Sequence, residues 1–219
     1  MTTAIRWNEK NYHKAAGDHM PSLHFTETMR GFISEKELRD HDLGARLGRR
    51  DKRKFEFTVT IQAKDLDRFL QDPKHKATLS GTVNYEPLGG VLRITRGSFN
   101  LFTEEGGVKK MKYEIYFSDS NRAPYVLTGQ KLVVNDPGAD LWTDTTTLFS
   151  ELRKGRTANA PVVAVGVIRV HLLDFLRQLT TIRILGGTPK ENAQGAARFG
   201  RFFFGDLWDT YVRRAAASQ

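Results

Sequence analysis

The sequence predicts an all-β fold with minor α content. The expected form is an antiparallel, closed or nearly closed barrel of about 8–10 strands, with two short helices and a C-terminal amphipathic helix. Three observations predict it. Short segments alternate apolar and polar residues with the two-residue period of a strand wetted on one face: Met111, Tyr113, Ile115 and Phe117 alternate with Lys112, Glu114 and Ser118. Turn-forming clusters separate these segments at short intervals, among them Glu104-Glu105-Gly106-Gly107 and Ser118-Asp119-Ser120-Asn121. The chain from Val91 to Val134 therefore reads as a three-strand meander, and closing such a meander into a barrel removes its exposed edges. The alternative architecture is two packed sandwich-like halves.

Taken in order, residues 1–21 are polar and mixed and read as a flexible arm, residues 22–195 as the barrel, and residues 196–214 as a helix packed on it. Leu23 to Phe32 is a first strand. Arg39 to Lys54 carries Arg46, Arg49, Arg50, Lys52, Arg53 and Lys54 with Gly44 and Gly48, and the expectation there is a mobile basic loop. Phe55 to Ile61 alternates as a strand. Asp65 then caps a short helix, Leu66 to Leu70, which Pro73 closes. Ala77 to Tyr85 is the next strand.

Within the meander, Leu92 and Ile94 share one parity and Phe99 and Leu101 the other. The phase break at Arg96-Gly97-Ser98 predicts a bulge or sharp bend. Tyr125 to Val134 follows as a strand with Gly129 at its middle. After a turn at Asn135-Asp136-Pro137-Gly138, the β-branched run Leu141 to Phe149 favours extension, and Arg153 to Pro161 reads as a loop. Val162 to Val170 is nearly all apolar, as in a strand buried on both sides.

The strand-to-helix passage at Val59 to Leu70 is echoed at Ile168 to Arg177, and this echo motivates the two-halves alternative. From Ala196 to Arg214 the pattern is helical. Phe199, Phe203, Phe204, Leu207, Trp208 and Tyr211 share a half-circle of the helical wheel, a stripe that must be covered by the protein's own core, by another copy of the chain or, alternatively, by a membrane surface.

The chain has 219 residues, enough to bury a substantial core. It has no cysteine, which excludes disulfides, thiol catalysis and cysteine-ligated zinc. The first ten residues lack the apolar run of a secretory leader, and no stretch reaches the roughly 18 apolar residues of a spanning helix. A cytoplasmic, bacterial protein is the expectation. Of the net charge of +9, +7 lies in residues 153–219, an asymmetry that suits either an anionic partner or a solvated basic face. The basic segment Arg39 to Lys54 lacks the aromatic interleaving of base-stacking surfaces, and nucleic acid is not the expected partner.

No residue set names a reaction. The six histidines include no pair at metal-ligand spacing, no phosphate-binding glycine loop occurs, and Ser98 is not in a nucleophile elbow. No metal site and no cofactor is expected. Asp144, followed by three threonines and preceded by Trp142, is the most distinctive polar cluster. It suits a site, or an aspartate bonding backbone amides in a turn. His171 follows a buried strand and reads as a core histidine or a base.

Four phrases nevertheless belong together: Phe25-Thr26-Glu27-Thr28-Met29-Arg30-Gly31-Phe32, Gly97-Ser98-Phe99-Asn100-Leu101-Phe102, Leu141 to Phe149, and Asp174-Phe175-Leu176-Arg177-Gln178-Leu179-Thr180-Thr181. Together they resemble a domain that accompanies GMC-type (cholesterol-oxidase-class) flavin oxidoreductases, and sometimes α/β-hydrolases, in long bacterial proteins. The likeness spans residues 22–212. The chain itself lacks both the flavin fingerprint and the hydrolase elbow. The resemblance implies a module working beside an oxidoreductase or hydrolase partner that handles sterols or other lipids.

The expected function is thus a non-catalytic binding or accessory module for an apolar, lipid- or sterol-like small molecule. Its expected ligand-binding residues are Phe99, Tyr113, Trp142, Asp144 and His171. Two alternatives stand beside it: an enzyme centred on Asp144 and His171, and a homo-oligomerisation or protein-interaction module using the C-terminal helix.

Overall fold

The structure is a computed structural model that describes residues 20–133, 146–171, 178 and 180–215. Nine strands form one antiparallel sheet: β1 (Ser22–Ser34), β2 (Lys54–Ala63), β3 (Lys76–Tyr85), β4 (Gly90–Glu105), β5 (Val108–Ser118), β6 (Pro124–Val133), β7 (Thr147–Lys154), β8 (Val162–Arg169) and β9 (Arg183–Leu185). The first eight run up and down in chain order, and β1 pairs with both β2 and β8, so the sheet closes into a barrel. The two-halves alternative is set aside by this continuous ladder. Among the described residues, three α-helices accompany the barrel: α1 (His41–Arg50), α2 (Leu66–Gln71) and α3 (Pro189–Ala215). Among the described residues, no helix is long and apolar enough to cross a membrane.

The two-residue alternation places one parity of each strand inside. Phe55, Phe57, Val59 and Ile61 of β2 and Met111, Tyr113, Ile115 and Phe117 of β5 are all buried. The expected irregularity in β4 is present: its register against β5 shifts between Ile94 and Arg96, and again between Asn100 and Thr103. At the second shift Phe102 takes a positive φ of 51°, which lets Phe99, Leu101 and Phe102 all be buried. Gly106 and Gly107, with φ of 61° and 76°, make the turn into β5.

Three expectations need correction. Residues 39–54 are not a loop, because His41–Arg50 is helical. Asp40 caps it by accepting from the Leu43 amide at 2.9 Å. Gly44 and Gly48 argue against a helix by propensity but lie one turn apart on its buried face. A Cβ on Gly44 would meet the Val165 carbonyl oxygen at 2.4 Å, and one on Gly48 the Ile33 oxygen at 2.3 Å. The glycines let α1 rest directly on the backbones of β1 and β8.

Second, β7 continues to Lys154, through residues read as loop. Leu148, Ser150 and Leu152 face inward, and the polar Ser150 hides the alternation; Arg153 points outward and donates to the Ala160 carbonyl at 2.8 Å. Third, the last helix starts at Pro189. Thr188 and Glu191 form a capping box: the Thr188 amide donates to Glu191 Oε2 at 2.7 Å, and the Glu191 amide to Thr188 Oγ1 at 3.3 Å.

The closing seam is uneven. On its side away from β2, strand β1 pairs with β9 over Ser22–His24 and with β8 over Arg30–Ser34. Between these ladders the Thr181 hydroxyl serves the β1 backbone, accepting from the Thr26 amide at 2.9 Å and lying 3.3 Å from the Thr26 carbonyl oxygen.

Candidate functional site

Large side chains fill the barrel interior, with Tyr85, Tyr113, Phe55, Phe57, Phe99 and Phe117 among the most deeply buried. Its apolar character is broken by a cluster of buried charges near the end where β1 begins. On β1 the inward series is Leu23, Phe25, Glu27 and Met29, so the strand's own geometry carries a carboxylate indoors. On β6 the inward series is Tyr125, Leu127, Gly129, Lys131 and Val133, which brings in an ammonium. Glu27 and Lys131 are 2% and 3% exposed.

Lys131 Nζ donates to Glu27 Oε1 at 2.8 Å, and the Tyr113 hydroxyl donates to Glu27 Oε2 at 2.6 Å. Each carboxylate oxygen therefore has a donor, the condition under which a buried charge is tolerated. Lys131 Nζ also lies 5.2 Å from the centre of the Tyr113 ring, within cation–π range. Burial pushes the Tyr113 hydroxyl well above its ordinary pKa, and the neighbouring Glu27 charge and hydrogen bond push it the same way. Tyr113 stands opposite Gly129 in the β5–β6 ladder. A Cβ at Gly129 would meet the Leu148 side chain at 2.8 Å, so glycine there leaves room for Leu148 beside the cluster.

The cluster borders a cavity of about 50 Å³ whose remaining wall includes Phe25, Phe99, Leu101, Met111, Gln178 and Phe203. The Gln178 carboxamide oxygen is buried and, among the described residues, has no hydrogen-bond partner. Helix α3 covers this end of the barrel. Phe199 and Phe203 are buried; Phe199 stacks 6.5 Å from Phe25, and Phe203 stacks 5.8 Å from Phe102. Phe202 sits 4.6 Å from the His75 ring, whose Nδ1 donates to the Phe69 carbonyl at 2.8 Å. Phe199 and Phe203, two of the six residues of the aromatic stripe, thus dock on the chain's own core; the side chains of Phe204, Leu207, Trp208 and Tyr211 lie outside the described residues.

Of the expected site residues, the structure brings two together. The rings of Phe99 and Tyr113 lie 4.8 Å apart inside the barrel and both line the cavity. His171 is not with them: it is exposed and lines a groove on the outer wall with Arg30 and Arg169. Trp142 and Asp144 lie outside the described residues, as does most of the segment of the second strand-to-helix echo. Glu27 and Lys131 were missed by motif reasoning, yet a signal was available. Each is the one charged residue on the apolar parity of its strand, and the two signs are opposite. Searches against protein-family profiles, curated proteins and solved structures found no match.

Proposed function

We propose that the chain is a non-catalytic binding module for an apolar, lipid- or sterol-like ligand carrying a hydroxyl head. The observation that carries this reading is the pairing, around one cavity, of a fully buried Lys131–Glu27–Tyr113 cluster with the unpartnered Gln178 oxygen. A ligand hydroxyl accepts from Lys131 and donates to Gln178, while Phe25, Phe99, Leu101 and Met111 pack on the apolar body. Eight-stranded barrels are wide enough either to be filled by side chains or to hold one small ligand. The cavity of about 50 Å³ admits the head alone. The body of a longer ligand takes the place of Phe199 and Phe203, which belong to helix α3 and not to a strand of the barrel. A working setting beside a lipid-processing oxidoreductase or hydrolase, implied by the resemblance, is part of the same proposal.

The test is a thermal-shift panel of sterols, long-chain alcohols and fatty acids, together with mass spectrometry of organic extracts of the purified protein. A hydroxylated lipid should raise the melting temperature with concentration, and Gln178→Leu should abolish the shift without lowering the ligand-free melting temperature. Extracts without ligand and a panel without a shift would remove the proposal.

A further inference from the structure

The outer wall carries a second concave site with the opposite chemistry. Where α1 lies across β1 and β8, a groove of about 490 Å³ opens between the helix and the strands. Its wall includes Arg46 and Arg49 from α1, Arg30 from β1, Lys54 from β2, and Arg169 and His171 from the end of β8. The sequence pattern explains the convergence. Arg46 and Arg49, with Asp42, share the helix face beside the groove, and the Gly44–Gly48 contacts fix that face against the strands. Arg30 and Arg169 stand opposite each other in the β1–β8 ladder.

Five cations therefore surround one groove, against two carboxylates. Asp42 lines the groove, and Glu56 holds Lys54 at 2.9 Å and Arg30 at 3.6 Å. Among the described residues, Arg46, Arg49 and Arg169 have no carboxylate partner. Arg49 instead sits 4.8 Å over the Phe32 ring, which also lines the groove. Three guanidinium groups without an ion-pair partner among the described residues thus line one groove from rigid elements, and a compact anion between them would be shared by all three. Arginine's planar fork suits the oxygens of phosphate or carboxylate. Phosphate places more charge on one small group, which matches three forks facing one volume.

We propose that this groove binds a ligand bearing a multiply charged phosphate group, with Arg46, Arg49 and Arg169 as its principal contacts. The proposal is independent of the interior site. The same chemistry is offered by a soluble phosphate ester and by a phosphorylated lipid headgroup, and the test separates them.

Isothermal titration of the full chain with inorganic pyrophosphate should show one site that weakens as sodium chloride is raised. The exposed pair Arg46→Gln/Arg49→Gln, and separately Arg169→Gln, should each weaken binding by about tenfold or more. Arg201→Gln, an exposed arginine on α3, should leave it unchanged. Flotation with phosphatidylcholine vesicles, with and without phosphatidylinositol 4,5-bisphosphate, assigns the source. Recruitment only with the phosphorylated lipid identifies a headgroup, and pyrophosphate binding without recruitment identifies a soluble ester. Absence of pyrophosphate binding overturns the proposal, as does equal weakening by Arg201→Gln. Binding of duplex or single-stranded nucleic acid without pyrophosphate binding likewise overturns it, in favour of a nucleic-acid face.

Discussion

The two ends of the barrel are closed in different ways. At the end where β1 finishes, closure is aromatic and wet at its rim: Phe55 and Tyr85 pack at 5.3 Å, Phe117 and Tyr125 stack at 6.0 Å, and the Tyr85 hydroxyl donates at 3.3 Å to Glu35, an exposed residue. At the end where β1 begins, the tyrosine is Tyr113, its carboxylate Glu27 is sealed from water, and a helix stands over both. Both ends use a tyrosine hydroxyl bonded to a glutamate. Only one needs a lysine to balance the charge, because only there is the glutamate out of solvent's reach. One end is a plug, and the other has the polar equipment of a site.

The largest expected effect tests that asymmetry directly. Lys131→Met leaves Glu27 buried and unbalanced and should cost about 3–5 kcal/mol in urea unfolding, whereas the double variant Glu27→Leu/Lys131→Met should recover most of the loss. A double variant as unstable as the single one would show that the two charges do not act as a pair. Next, Phe55→Ala and Phe199→Ala should each cost about 3–4 kcal/mol, as large cavities in a packed interior do. They should differ in hydrogen exchange: Phe199→Ala speeds exchange along α3 and spares the far-end strands, and Phe55→Ala does not speed α3.

A smaller contrast separates the tyrosines. Tyr113→Phe removes a buried bond to a charged acceptor and should cost about 1.5–3 kcal/mol, against about 1 kcal/mol for Tyr85→Phe, whose acceptor returns to water. The smallest effect is in alkali. Burial raises the pKa of both hydroxyls, with the neighbouring glutamate adding to it, so the folded state favours the neutral phenol. That stability is fully present below the ordinary tyrosine value of 10.0 and is lost as pH rises above it. Melting temperatures measured from pH 8 to about pH 12 should fall above about pH 10, and Tyr113→Phe should flatten the fall more than Tyr85→Phe.

Much of this architecture was legible in the sequence, and the omissions share a cause. Alternation in Met111 to Phe117 and in Phe55 to Ile61 located strands because inward and outward residues there differ in polarity. Where an inward residue is itself polar, as at Ser150, Glu27 and Lys131, the same rule loses the strand or misses the site. Parity still holds at those positions, but the chemistry that marks it does not. Helix α1 was hidden for a complementary reason: Gly44 and Gly48 lower helix propensity locally while permitting a contact with β1 and β8 that only tertiary structure reveals. His171 was singled out as a polar residue after a buried strand, and that position places it on the outer groove instead of the interior.

The interrupted seam beside Glu27 bears on how anything reaches the interior. Around most of the wall, parting two strands means breaking a ladder of mutually supporting backbone bonds. Among the described residues, the Thr181 side chain fastens β1 at Thr26 between the β8 and β9 pairings. Among the described residues, this stretch of wall beside the buried charges is held on its side away from β2 by side-chain bonds where its neighbours are held by backbone pairing.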